Sequence, residues 1–310
     1  MPAKVKFYLN GGGLFTVQGR WWDDKVESLF NELGAQVYNP WRESKERQLR
    51  SDVPAEELRK EVFTLDRAGV DISQGVIMLG EGAAGEVSSG TAWETGYAYA
   101  RNKPILCLRT DLRGALNGLL KECLFDGRVC GDLGTLRERA TRAIERLTQS
   151  RAAPTSYAPP TRPRDVERVF LSAPYYTNAE EAFARELERG LSGLGFDVMF
   201  PPGARGIRAG LSSGRQRVWP ALFKEKVRCL DGCDAVVALL EGADCNSETG
   251  WDCGYGYSKY KPVFGMRTDF RTLGDIGGRV NLMIEQSLVG SKLQGSVSEI
   301  GQRLRAQRRI

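Results

Sequence analysis

The chain has 310 residues, of which 41% are apolar, so its length and composition allow two domains of ordinary size with real cores. Its formal charge of +5 is mild, and Lys and Arg are interspersed with Asp and Glu, which argues against a nucleic-acid surface. Histidine is absent, which excludes His-ligated zinc, a Ser-His-Asp triad and a histidine general base, and leaves acid–base chemistry to Asp, Glu, Tyr, Cys or Lys.

In chain order, a short apolar strand over Val5–Leu9 leads into a glycine-rich turn. An amphipathic helix follows and ends near Leu33 and Gly34, with the glycine as its C-cap. A strand over Gln36–Tyr38, a longer variable segment and a second helix come next. A wholly apolar strand, Val76–Leu79, precedes a helix that begins near Thr91, and a further buried strand, Ile105–Leu108, leads to the last helices. The stretch Ser150–Pro163 holds Pro154, Pro159, Pro160 and Pro163 and reads as a linker. The expected boundaries are a first domain over 1–150, a linker over 151–164 and a second domain over 165–310.

The second half then repeats the first. Its strands are expected at Val169–Leu171, Asp197–Phe200, Ala235–Leu240 and Val263–Met266, with a helix ending near Leu194 and Gly195 and another beginning near Thr249. Residues 101–113 (RNKPILCLRTDLR) return as 259–271 (KYKPVFGMRTDFR), and 90–99 (GTAWETGYAY) as 248–257 (ETGWDCGYGY), both displaced by 158 residues. Val76–Gly82 returns as Val236–Gly242 at a displacement of 160, and Tyr8–Thr16 resembles Phe170–Thr177. Continuous apolar strands alternating with helices indicate a doubly wound parallel sheet in each half, covered on both faces, with ligands at the carboxyl ends of the strands. The fold class is therefore α/β, two tandem domains of this kind.

Seven cysteines occur without a CxxC pair, and neither a signal peptide nor a long apolar run is present. These features predict reduced thiols in a soluble, cytoplasmic protein with no membrane partner. The basic tail, Arg303, Arg305, Arg308 and Arg309, reads as a solvated helix end.

In the first half, Ser88 to Ala98 lies at a strand end and opens a helix. Gly90 lets a ligand approach the backbone, and Glu94 sits in the first turns, where the helix dipole favours an ionised carboxylate. Such a group can attack an anomeric carbon. The run SGTAWETGYAYA (89–100), followed by Lys-Pro and Arg-Thr-Asp-Leu-Arg, resembles the nucleoside 2-deoxyribosyltransferase family. The second half adds 170–180 (FLSAPYYTNAE), 205–208 (RGIR), 233–242 (CDAVVALLEG) and 279–284 (RVNLMI) to the likeness. The resemblance implies a flavodoxin-like fold and transfer of 2-deoxyribose between bases through a carboxylate nucleophile, without metal or cofactor. Carried over, Glu94 matches the nucleophile and Asp66 the residue that handles the base and its proton. Phe15, with Leu14, Trp21 and Trp22, is a candidate wall for the base, core packing being the equal alternative for the two tryptophans.

The second half departs at both key positions, with Lys226 in place of Asp66 and Asp252 in place of Glu94. It reads as a degenerate partner, or as a site with a different ligand. In the family an Asn from a neighbouring subunit contacts the sugar 5′-hydroxyl. Asn281 matches it and is expected to complete the Glu94 site, whereas Asn117 would face Lys226 and Asp252, making the chain an asymmetric pseudo-dimer. Ser88 stands where the family commonly has Asp. It resembles the related 5′-monophosphate N-glycosidases, cytidylate hydrolases among them, whereas Asn281 favours a free 5′-hydroxyl. The expected activity is base exchange on nucleosides with slower hydrolysis. The alternatives are a nucleotide N-hydrolase using the same Glu94 and Asp66, or a nucleotide-sensing module without turnover. Expected partners are a small nucleoside or nucleotide and a free base, with a homo-oligomer of pseudo-dimers as a further possibility.

Overall fold

A computed structural model of the chain describes residues 4–11, 17–43, 52–81, 86–111, 114–149, 165–200, 218–271 and 278–307. The proline-rich stretch, Leu14 and Phe15, residues 205–208 and the last two arginines of the tail lie outside these residues. The chain divides into two compact units, Met1–Tyr157 and Ala158–Ile310.

The first unit runs β1 (Lys6–Asn10), α1 (Val17–Glu32), β2 (Gln36–Tyr38), α2 (Ala55–Ile72), β3 (Gly75–Leu79), α3 (Ser89–Ala100), β4 (Ile105–Leu108), α4 (Gly118–Glu122), β5 (Val129–Cys130) and α5 (Leu133–Gln149). Its five strands are parallel in the order β2-β1-β3-β4-β5. The second unit repeats this as β6 (Arg168–Ser172), α6 (Asn178–Gly193), β7 (Asp197–Met199), α7 (Val218–Gly232), β8 (Ala235–Leu239), α8 (Ser247–Ser258), β9 (Val263–Met266), α9 (Leu282–Ser287), β10 (Leu293–Gln294) and α10 (Val297–Ala306). Its order is β7-β6-β8-β9-β10, again wholly parallel. Each unit is thus a flavodoxin-like doubly wound sheet. The strand order reverses direction between β1 and β3, and between β6 and β8, and the crevice that this reversal opens at the carboxyl ends is where such folds bind ligands.

The strands form where apolar residues run without interruption, because both faces of the sheet are covered. Phe7, Leu9, Ile77, Leu79, Leu106 and Leu108 pack with Val26, Leu29 and Phe30 of α1 and with Leu136 and Ala140 of α5. Val169, Leu171, Val237, Leu239 and Phe264 pack the same way against α6 and α10. Observed strands agree with the expected spans to within a residue at each end. The short edge strands β5 and β10 were not located in the sequence, being two residues each. The glycines expected to close α1 and α6 do so with left-handed backbone, φ +77° at Gly34 and +88° at Gly195. Thr177 and Glu180 form a reciprocal capping box that starts α6.

The repeated motifs explain themselves as scaffold. In the first unit Trp93 stacks on Tyr97 at 5.2 Å between ring centroids, with Phe63 edge-on at 5.5 Å. In the second, Trp251 stacks on Tyr255 at 5.1 Å and Phe223 stands edge-on at 5.4 Å. Tyr97 donates to Asp71 at 2.9 Å and Tyr255 to Asp231 at 2.8 Å, so in each unit the helix after the third strand is tied to the helix before it. Lys103 donates to the carbonyls of Asp71 and Ser73, and Lys261 to those of Asp231 and Cys233, satisfying helix-end acceptors. Arg109 donates to the carbonyl of Gly80, and Arg267 to that of Leu240 at 2.6 Å, joining the loops that leave neighbouring strands. Two arginines of the basic tail also serve the fold, Arg303 donating to the Val289 carbonyl and Arg305 to that of Leu194 at 2.8 Å.

Candidate active site

The first unit gathers two acidic side chains at the carboxyl end of its sheet. Glu94 projects from the second turn of α3 and is 7% exposed. Asp66 comes from α2, which is brought close to β2 because Gly69 packs beneath the ring of Tyr38; a Cβ there would lie 2.3 Å from Tyr38 Cε1. Tyr38 in turn stacks on Tyr8 at 5.8 Å and donates to the Leu65 carbonyl at 3.4 Å. Tyr8, wholly buried on β1, donates its hydroxyl to Glu94 Oε1 at 2.6 Å.

Burial, and the negative charges of Glu94 and Asp66 around it, hold the Tyr8 phenol well above its ordinary range, so it stays a donor. Burial also lifts Asp66 to about 7. Glu94 is pushed well above the usual carboxylate range by burial and then by the charge of Asp66, with the Tyr8 hydrogen bond pulling the other way. Two acids that repel each other in a water-poor setting disfavour both being charged at once, so the pair titrates as a unit. Asp66 Oδ1 is buried and has no hydrogen-bond partner among the described residues, and the same is true of Asn10 Oδ1 at the end of β1. The Asn10 amide is held by the Thr91 carbonyl at 3.0 Å and by Thr95 Oγ1 at 3.4 Å.

Ser88 is the N-cap of α3. Its Oγ accepts from the Thr91 amide at 3.2 Å and donates to Thr91 Oγ1 at 2.9 Å. Gly90 is buried in the first helical turn. Asn117 caps α4, accepting from the amides of Leu119 and Leu120, and donates to Glu86 Oε1 at 3.3 Å. Asn281 caps α9 by accepting from the Met283 amide at 3.0 Å. Trp22 packs against the first unit's core, whereas Trp21 is 52% exposed.

In the second unit the equivalent positions hold a buried ion pair. Lys226 Nζ lies 2.9 Å from Asp252 Oδ1 and 4.6 Å from the centroid of the Trp251 ring. Ser172, in the place of Asn10, donates to Asp252 Oδ2 at 2.7 Å. Burial raises Asp252, while Lys226 and Ser172 oppose the rise. The same fold therefore presents an acid–acid pair in one unit and a neutralised acid–base pair in the other.

The model of the nucleoside 2-deoxyribosyltransferase family matches the chain twice, over residues 7–144 and 169–289, that is, over most of both units. The chain belongs to the nucleoside 2-deoxyribosyltransferase family. Members are enzymes that act on small nucleoside substrates, and both copies of this fold fall within the family. No curated protein matches the chain significantly. Among solved structures, a 2-deoxyribosyltransferase from the psychrotolerant bacterium Bacillus psychrosaccharolyticus is 19% identical, covers 43% of this chain and 90% of its own, and superposes with a TM-score of 0.35. A conserved protein from Enterococcus faecalis V583 is 16% identical, covers 46% of this chain and 99% of its own, with a TM-score of 0.33. Scores this low add nothing to the family match.

Two residues of the first unit's site were missed in the sequence, Tyr8 and Asn10. The signal was there: a hydroxyl and an amide inside a fully buried parallel strand need a partner, and the partners are Glu94 and α3. Among the described residues, no helix is long and apolar enough to cross a membrane.

Proposed function

We propose that the first unit breaks the N-glycosidic bond of a 2′-deoxynucleoside and passes the sugar to another base through an ester on Glu94. Glu94 Oε attacks the anomeric carbon as the carbon–nitrogen bond breaks. The bond's electron pair leaves with the base, and Asp66 supplies the proton that lets the base depart neutral. An acceptor base then attacks the same carbon, displaces Glu94, and returns a proton to Asp66. Tyr8 acts as a positioning residue, holding Glu94 by one oxygen and favouring its ionised form. The observation that carries this reading is Glu94 held by the Tyr8 hydroxyl at 2.6 Å with a second acid, Asp66, beside it.

Water in place of the acceptor base gives hydrolysis by the same steps, and Ser88 favours that second reading for a 5′-monophosphate, because a serine removes a carboxylate that would repel phosphate. Incubation with deoxynucleosides and with their monophosphates, each with and without an added base, separates the two. Exchange of bases on nucleosides supports transfer. Release of free base from monophosphates alone, unaffected by an acceptor, replaces transfer with hydrolysis. Because aspartate also caps helices well, Ser88→Asp is expected to preserve the start of α3 and to leave transfer intact or faster.

The second unit has the Lys226–Asp252 pair in the corresponding place, and we read it as degenerate. Asp252 is one methylene shorter than Glu94, and Lys226 cannot match the hydrogen bonding of Asp66.

A further inference from the structure

The two units differ at a further position, outside the Asp66–Lys226 and Glu94–Asp252 exchanges. Gly90 is the second residue of α3, and the second residue of α8 is Glu248. Where the first unit leaves bare backbone, the second carries a carboxylate that is 5% exposed. Glu248 is held in place by its surroundings. Its backbone amide donates to the N-cap Asn246 at 2.9 Å, and the Tyr176 hydroxyl donates to Glu248 Oε1. Tyr176 stacks on the buried Tyr175 at 5.4 Å, and Tyr175 meets Phe200 edge-on at 5.9 Å. The helix dipole favours a carboxylate in the first turn, so Glu248 is held where the first unit has only the backbone of Gly90. One turn further on, Lys226 and Ser172 engage both oxygens of Asp252.

We infer that the second unit is a self-filled site, in which Glu248 takes the helix N-terminus and Lys226 takes the nucleophile, so that each chain binds one nucleoside rather than two. Glu248 and Lys226 are thereby the residues that decide which copy of the fold accepts substrate. The inference rests on the first unit being the working site. It goes beyond degeneracy, because a merely inactive copy would still bind.

Stoichiometry tests it. The full chain carrying E94Q, which removes turnover, is titrated with each of the four common 2′-deoxynucleosides by equilibrium dialysis. One nucleoside per chain is expected. Two per chain would overturn the inference without any change to the second unit. No binding at all would instead strike the proposed activity of the first unit, and this inference with it. E248G, K226D and D252E are then added together to E94Q, each placing in the second unit the residue that the first unit folds around. Binding should rise to two per chain, with thermal unfolding unchanged in its number of transitions. A stoichiometry that stays at one in the folded quadruple variant would also overturn the inference.

Discussion

At the scale of single residues, the two units show what one substitution does to a buried acid. Asp66 beside Glu94 sets two like charges together, whereas Lys226 beside Asp252 offsets the charge. Tyr8→Phe removes a hydrogen bond to a carboxylate, an interaction worth about 1.5–3 kcal/mol. In the proposed reaction this corresponds to a loss of roughly tenfold to a hundredfold in kcat, with KM little changed, measured by steady-state base exchange. Asp66 must hold its proton to act, and burial lifts it to about 7. Consequently kcat/KM is expected to fall as pH rises and the pair loses the proton that Asp66 delivers, and Asp66→Asn should abolish that limb along with most of the rate. A profile that stays flat across neutral pH would remove Asp66 from the role of acid. In the second unit, Lys226→Met strands Asp252 in the interior and should cost about 3–5 kcal/mol of stability. Lys226→Met with Asp252→Leu should recover most of that loss, since no charge is left unpaired. Urea unfolding followed through tryptophan fluorescence reads both.

At the scale of elements, α1 carries a buried acid that the proposed chemistry does not use. Asp23 is 2% exposed, and neither of its oxygens has a hydrogen-bond partner among the described residues. The Asn39 amide, which also approaches Asp23, donates to Glu27 at 2.8 Å. Burial is the main cause that lifts Asp23 from 3.8 to about 6, with Glu27 and Asp24 adding to the rise and Asn39 and Arg42 opposing it. The folded state therefore binds the proton more tightly than the unfolded chain. Its contribution is present at low pH, is lost as pH rises from about 4 to about 6, and stays lost above that. Asp23→Asn is expected to stabilise the protein by about 1–3 kcal/mol at pH 8 and to have little effect at pH 4, measured as the difference in urea midpoints. A variant less stable than the wild type at pH 8 would show that the ionised carboxylate is satisfied.

The elements were largely legible because their cause is local. Unbroken apolar runs gave β1, β3 and β4, and Gly34 and Gly195 marked two helix ends. The edge strands β5 and β10 were not placed, since two residues in a ladder leave no periodicity to read. Glu94 and Asp66 were recognised by likeness to a family, not by pattern. Tyr8 and Asn10 escaped because they look like strand filling until their partners, more than 80 residues away, are brought opposite them. Conversely, much of the motif that carried the likeness, including Trp93, Tyr97, Lys103 and Arg109, is now explained by packing and helix capping.

At the scale of the whole molecule, duplication has kept the fold twice and changed the chemistry of one copy. Both units retain the same strand order, the same stacked Trp–Tyr pair and the same lysine at a helix end, so the scaffold is under the same physical demands in each. The acid pair, the bare helix start at Gly90 and the tyrosine on the first strand are found together in the first unit alone. In the proposed reaction a sugar becomes bonded to Glu94 during turnover. Acid quenching of the full-length protein within its first turnovers on a deoxynucleoside, followed by peptide mass spectrometry, tests it directly. The peptide containing Glu94 should gain the mass of one deoxyribosyl group, Glu94→Ala should lose both the adduct and the activity, and the peptide containing Asp252 should stay unmodified. An adduct on Asp252 instead, or full activity in Glu94→Ala, would remove Glu94 from the role of nucleophile.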